Sequence, residues 1–346
     1  AQTYVLAEQL VRTLRELRKY DRVLSEEYTP PPILDLANQT RTGDPVSTET
    51  MSTSLTLDYQ RDQWGIERIC LDGTQNHLPA DALGTQIGVV CEVEGKWIPL
   101  AEAQAVKDKV TAVRFVDDGV GYDVKNLGVF WSSKPDDPAS AGQFGEGLKM
   151  LAAAALRNGI EATFSSQDWE AKPVVQPDTI NDTRRGKVVP IERLALAVER
   201  YSGELRKGSA TTFRKFPPAF MDEVGQLSEK VLALREGYKP IYTSPKGDVV
   251  DLDGGKVFVK GVYVAEAKTL LTYNFTDVEV NRDRNAVING VEGPVNAMLD
   301  QLSDARVIKT ILQKSFLNDQ AVECTAYCYG RPEYPTAWQK AFAQLY

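Results

Sequence analysis

Apolar residues recur at three- and four-residue steps through Val5, Leu6, Leu10, Leu14, Leu17 and Leu24, which predicts an amphipathic helix over 4–24, stopped by Pro30-Pro31-Pro32. Residues 38–54 are rich in Thr, Ser and Gly and read as a polar loop, and 55–59 alternates like a short strand. In 64–82, Ile66, Ile69 and Cys70 share one helical face. The stretch 86–100, with Glu94-Gly95-Lys96 at its middle, predicts a β-hairpin, and 111–116 predicts a strand that ends at Asp117. A helix is expected from about 145 to 157; it is almost purely apolar from Met150 to Leu156, so it should be buried, and Asn158-Gly159 should end it. A strand at 160–164, an irregular polar stretch at 165–190 and a Thr-rich strand at 208–213 follow. Pro217-Pro218 reads as a boundary. Beyond it the pattern predicts an amphipathic helix at 221–234, short strands between 240 and 285, and helix over roughly 292–317.

Composition narrows this. At 346 residues the chain can hold two domains, here expected as 61–217 and 218–346 behind an N-terminal helix and polar loop at 1–60. A net charge of −8 argues against a surface that grips nucleic acid throughout, though a local basic groove is compatible with it. No apolar run reaches the ~18–20 residues needed to cross a bilayer, so no membrane partner is expected. The start carries no signal-peptide pattern, and four scattered cysteines suit reduced thiols in the cytoplasm. Cys324 and Cys328, with the only histidine, His77, far away in sequence, are too few for a zinc set.

The candidate chemistry lies in three short stretches. Asp72 and Asn76 are four apart, so a helix places them on one face, a turn apart. Asp117-Asp118-Gly119-Val120-Gly121 is an acidic pair leading into a glycine turn, where a held carboxylate can accept a hydrogen bond from a base amino group. Gly142-Gln143-Phe144-Gly145-Glu146-Gly147-Leu148-Lys149 is a glycine-rich turn entering a helix, whose backbone N–H groups and dipole favour phosphate. The polar stretch 122–141 lies between the two glycine motifs and reads as a lid. Together they predict an ATP site. Arg184-Arg185-Gly186-Lys187 reads as a solvated turn.

These three stretches, in this order, resemble the N, DxGxG and GxxGxG boxes of the GHKL (Bergerat-fold) ATPases: type II topoisomerase ATPase subunits, 90-kDa heat-shock chaperones, histidine kinases and MutL-type proteins. The resemblance covers about 60–216. It implies an α+β fold, a Bergerat-type α/β sandwich with helices on one face of a mixed sheet, followed by a second, transducer-like α/β domain. It implies ATP and Mg2+ as cofactors. Asp117 would bind the adenine amino group, with Gly119 and Gly121 shaping its turn and Thr211 and Thr212, after Gly208, sharing the adenine site. Asn76 would hold magnesium. Gly142, Phe144, Gly145, Gly147, Leu148 and Lys149 would line the phosphates. The family's general base is Glu; this chain has Asp72 in that place, and Pro79 and Asp118 are further departures, which leave the hydrolysis rate open. Ser132-Ser133-Lys134 before the glycine run is closest to the chaperone pattern and adds Ser133 and Lys134 to the expected nucleotide contacts. The segment ending in Asn281-Arg282-Asp283-Arg284 is similar to a chaperone middle-domain segment, which makes Arg282 and Arg284 candidates for the γ-phosphate.

The function expected from this resemblance is an ATPase whose lid and domain closure remodels a partner, with ADP as product and a homodimer among the expected states. The alternatives are a DNA-associated ATPase of the topoisomerase or MutL kind, which the acidic charge disfavours, and a slow or non-hydrolysing nucleotide sensor or scaffold. Phage and bacterial-defence proteins use the same module. A self-contained histidine kinase is disfavoured, because the one histidine lies inside the first box.

Overall fold

The computed structural model describes residues 33–39, 44–78, 86–128, 147–281, 285–326 and 335–345. The expected helix at 4–24 lies outside them. In chain order, helix α1 (Ile33–Asn38) precedes strand β1 (Pro45–Thr56), helix α2 (Ile66–Gln75), strands β2 (Ile87–Val93), β3 (Lys96–Pro99) and β4 (Val110–Asp117), and helix α3 (Gly147–Arg157). Strands β5 (Glu161–Gln167), β6 (Trp169–Asp182), β7 (Lys187–Tyr201) and β8 (Arg206–Arg214) follow, then helix α4 (Pro218–Gly225). Strands β9 (Tyr242–Ser244), β10 (Gly247–Asp251), β11 (Lys256–Val259), β12 (Val262–Glu266) and β13 (Thr272–Phe275) lead to helices α5 (Glu292–Asp300), α6 (Ala305–Ser315), α7 (Val322–Ala326) and α8 (Pro335–Ala343).

The protein is α+β, with an eight-stranded sheet in the order β1-β7-β6-β5-β8-β4-β2-β3 and a five-stranded sheet in the order β12-β11-β13-β10-β9. Every pairing in the first sheet is antiparallel, so the expectation of a mixed sheet there is corrected. Its strand connections carry no parallel crossover; the β11–β13 pair makes the second sheet the mixed one. Helices on one face only is corrected as well. Alternate residues of a strand face opposite ways. Val113 and Phe115 join the main core with α2, α3 and α4, while Val90, Val116 and Ala210 pack on the other face beneath Leu36 and Ala37 of α1.

Two stretches read as loop or irregular are strand. Residues 45–54 form most of β1, and 165–190 are largely the ribbon of β6 and β7, paired from Trp169↔Arg200 to Asp182↔Lys187. The reason is exposure: both faces of these strands meet solvent over much of their length, so no apolar alternation marks them. The basic cluster forms the ribbon's turn, where the Asp182 carboxylate accepts from the N–H groups of Arg184 (3.0 Å) and Arg185 (3.2 Å). The β2–β3 hairpin is as expected, with Glu94 (φ 52) and Gly95 (φ 77) giving the double left-handed turn that suits strand twist. Helix α3 ends as predicted, with Ile160 N–H reaching back to Ala155 O (2.9 Å) past the left-handed Gly159. The expected helix at 221–234 starts earlier, at Pro218, and breaks after Gly225 into two short turns.

The main core is locked by aromatics, with Phe213 edge-on to Phe115 (ring centres 5.7 Å apart) and tilted against Phe220 (5.3 Å). A second core lies between the five-stranded sheet and α5 and α6, through Tyr273, Phe275, Val295, Met298, Leu299 and Ile308. The buried carboxylate of Glu323 accepts from Leu270 and Leu271 N–H and from the Tyr273 hydroxyl (2.9 Å), which anchors α7 to the start of β13. The segment after α4 joins the two sheets: Val231 bridges Val262, and Leu232 N–H donates to Gly261 O at 2.8 Å. Among the described residues no helix is long and apolar enough to cross a membrane.

Candidate functional site

Helix α2 forms because Ile69 and Cys70 can be buried against α3 and α4 while Glu67 faces outward and pairs with Lys230 (2.7 Å). Its last turn carries the expected pair. Asn76 N–H donates to Asp72 O at 3.1 Å, so the two side chains leave the helix one turn apart. Asp72 is buried, and the guanidinium of Arg68, one turn earlier, makes an ion pair with it. Gly147, the first residue of α3, lies against both: a methyl group placed on it would stand 3.7 Å from Asn76 Oδ1 and 4.0 Å from Asp72 Oδ1. Thus α2 and the N-terminus of α3 meet at Asp72 and Asn76. Asn76 Nδ2 is buried there without a hydrogen-bond partner among the described residues.

Strand β4 delivers Asp117 to the same face of the sheet. The β4–β8 register sets Asp117 opposite Ser209 and Phe115 opposite Thr211. Asp117 Oδ1 accepts from Gly119 N–H (2.9 Å) and Ser209 N–H (3.3 Å). Its Oδ2 accepts from the Ser209 hydroxyl and from His77 Nδ1 at 2.6 Å. The other ring nitrogen of His77 lies 2.9 Å from Thr211 Oγ1. Burial alone raises the Asp117 carboxyl pKa, but the hydrogen bond from His77, with the bonds from Ser209 and Gly119, outweighs it and holds the group below its ordinary value. The sequence reading assigned His77 no role in the site; the available signal was its place directly after Asn76. The order carboxylate, imidazole, hydroxyl is that of an acyl-transfer relay. Thr211 is only 2% exposed, however, so its hydroxyl is closed to an incoming carbonyl.

Two glycines make this arrangement sterically feasible. Gly208 has φ 68, and a Cβ there would overlap the carbonyl oxygen of Asp117. Gly121 has φ 69, and a Cβ there would overlap Ser166 Oγ, which accepts from Tyr122 N–H (3.0 Å) and donates to Gly208 O (3.3 Å). Asp118 turns away from Asp117, and its Oδ1 accepts from Gln86 N–H at 2.8 Å, which pins the loop entering β2. Tyr122 lies beside Asp117; burial, with that negative charge, pushes its phenol up.

Thr212 is not part of this group. It sits one residue from Thr211 on β8 and so faces the opposite side, where its hydroxyl accepts from Arg114 Nε at 2.8 Å. Arg114 also reaches Ala37 O and lies over the Trp97 ring (4.3 Å), and its guanidinium is lowered to about 10 by burial and by the nearby charge of Arg214. Leu148 packs on the main core, and Lys149 is buried within α3. Ser133, Lys134, Gly142, Phe144, Gly145, Arg282 and Arg284 lie outside the described residues, as do Pro79, Cys328 and most of the expected lid. Among the described residues no group of three or more His, Cys, Asp or Glu side chains is placed to hold a metal ion. No protein-family model matches the chain, and no curated protein sequence is significantly similar to it.

Proposed function

We propose that the chain is an ATP-binding protein of the GHKL (Bergerat) type and a magnesium-dependent ATPase, whose nucleotide-driven closure acts on a partner. One observation carries the reading. The end of α2 meets Gly147 at the start of α3 through Asp72 and Asn76, and meets Asp117 and Thr211 on the sheet through His77. Residues from all three sequence stretches therefore come together where the end of α2 meets α3 and the sheet. The α+β class agrees with the proposed fold type, while the fully antiparallel first sheet departs from it.

The two ends of the candidate site differ in how well they fit ATP. At the helix end, Asn76 Oδ1 faces the N-terminus of α3, where backbone N–H groups favour phosphate oxygens. Asn76 supplies a neutral oxygen ligand there, and magnesium, when bound with the nucleotide, would neutralise phosphate charge. In this reading Asp72 would orient water. At the sheet end, Asp117 is ionised and buried, which suits recognition of an amino group, but its acceptor positions are already engaged. In this reading the second sheet and its helices act as the transducer.

The Arg68–Asp72 ion pair favours slow turnover, because it neutralises the acid that would serve as base. A slow or non-hydrolysing sensor is therefore the second reading. The deciding experiment measures ATP affinity by calorimetry with and without Mg2+, and phosphate release with and without DNA. Magnesium-dependent binding with turnover supports the ATPase, binding without turnover supports the sensor, and stimulation by DNA moves the protein to the DNA-associated class. No binding overturns both readings.

A further inference from the structure

We propose that His77 is a plug at the base end of this candidate site, occupying Asp117 and Thr211 until a nucleotide base displaces it. The inference rests on the ATP-site reading above and names what controls it. A carboxylate offers about four acceptor positions. At Asp117 all four are taken from within the chain: Gly119 N–H and Ser209 N–H on Oδ1, the Ser209 hydroxyl and His77 Nδ1 on Oδ2. None is left for the exocyclic amine of a base.

The four donors differ in what would free them. The Gly119 and Ser209 N–H groups are backbone, one held in the turn after β4 and the other in the β4–β8 ladder. The Ser209 hydroxyl can rotate its proton away, but its oxygen stays on the short side chain beside Oδ2. The imidazole is different. His77 stands beyond the last residue of α2, in a turn closed by His77 N–H to Thr74 O at 3.0 Å, and its ring, unlike the two backbone N–H groups, is carried on rotatable side-chain bonds.

The ring also has the right shape to stand in for a base. Asp117 offers only lone pairs, so Nδ1 donates to it, and in the Nδ1–H tautomer Nε2 is the acceptor for the Thr211 hydroxyl. A flat heterocycle thus bridges carboxylate and hydroxyl with a donor at one end and an acceptor at the other, as the edge of an adenine ring would. Plug and base compete for the same two residues. When only a fraction of molecules is open, the apparent dissociation constant equals the intrinsic one divided by that fraction.

The test is calorimetric titration of the full chain with a non-hydrolysable ATP analogue in wild type, His77→Ala and Asp117→Asn, together with melting temperatures. His77→Ala should melt lower than wild type, because it loses the buried hydrogen bonds to Asp117 and Thr211, yet bind the analogue about ten-fold or more tightly, because no closed fraction remains. A purely structural histidine would lower stability and affinity together. If wild type binds and folded His77→Ala binds equally or more weakly, the plug is overturned and the ATP site stands. If wild type, His77→Ala and Asp117→Asn all fail to bind, the ATP-site reading falls and the plug with it. Should His77→Ala not fold, His77→Asn, whose amide is too short to span Asp117 and Thr211, is read by the same criteria.

Discussion

His77 Nδ1 lies 2.6 Å from Asp117 Oδ2, and this one contact joins the end of α2 to the end of β4. Residues 40 apart in sequence become neighbours because the β4–β8 register brings Ser209 and Thr211 beside Asp117, while α2 packs over the same face of the sheet. The chain's only histidine is therefore the link between the helix and sheet halves of the candidate site.

Asp117→Asn should abolish ATP binding and lower stability, since the amide presents a donor where His77, Ser209 and Gly119 also donate. The stability part depends on pH. The Asp117 pKa is lower in the folded chain than its ordinary 3.8, so its contribution is complete above that value and is lost as pH falls through the folded value. Urea denaturation should show a gap between wild type and Asp117→Asn at neutral pH that shrinks below about pH 4. A gap that widens with acid would contradict the assignment of charge to Asp117.

Asp72→Asn should keep nucleotide binding and lose roughly 10²–10⁴-fold in turnover, the range for removal of a general base. Arg68→Gln should act in the opposite direction, because it releases the carboxylate from its ion pair. Phosphate release under single-turnover conditions distinguishes the two. Unchanged turnover in Asp72→Asn would assign the base to another acid.

Gly208→Ala should destabilise the fold by about 3 kcal/mol or more, because the left-handed backbone and the overlap with the Asp117 carbonyl both oppose a Cβ. Thermal melting measures the loss. A neutral substitution would mean that β4 and β8 are further apart than described.

Glu323→Ala should cost about 3 kcal/mol, since it leaves the buried N–H groups of Leu270 and Leu271 and the Tyr273 hydroxyl without an acceptor. Hydrogen exchange at Leu270 and Leu271 should rise far more than at Val113 and Phe115 in the first sheet. Equal increases in both sheets would show that the whole chain unfolds as one unit.

Thiol labelling should separate the cysteines. Burial pushes the Cys91 thiol up to about 12 and raises Cys70 as well, with the charge of Glu223 adding to the effect at Cys70, so neither forms thiolate near neutral pH. Cys324 is partly exposed. Mass mapping after brief alkylation at about pH 8 should find Cys324 modified and Cys70 and Cys91 protected until denaturant is added.

Much of the site was legible in the sequence because it depends on local spacing. Four residues bring Asp72 and Asn76 one helical turn apart in any α-helix, and a strand ending at Asp117 followed by glycines makes a turn wherever it sits. The apolar run 150–156 and the Glu94-Gly95 hairpin were legible for the same reason. Only the tertiary structure decided the rest. β1 and the β6–β7 ribbon were hidden because strands exposed on both faces carry no apolar alternation. Thr211 was separated from Thr212 by which face of β8 meets α2, and the sheet proved antiparallel through pairings between distant strands. His77 gained its role because packing, unlike spacing, brings residues 40 and 134 positions apart to its two ring nitrogens.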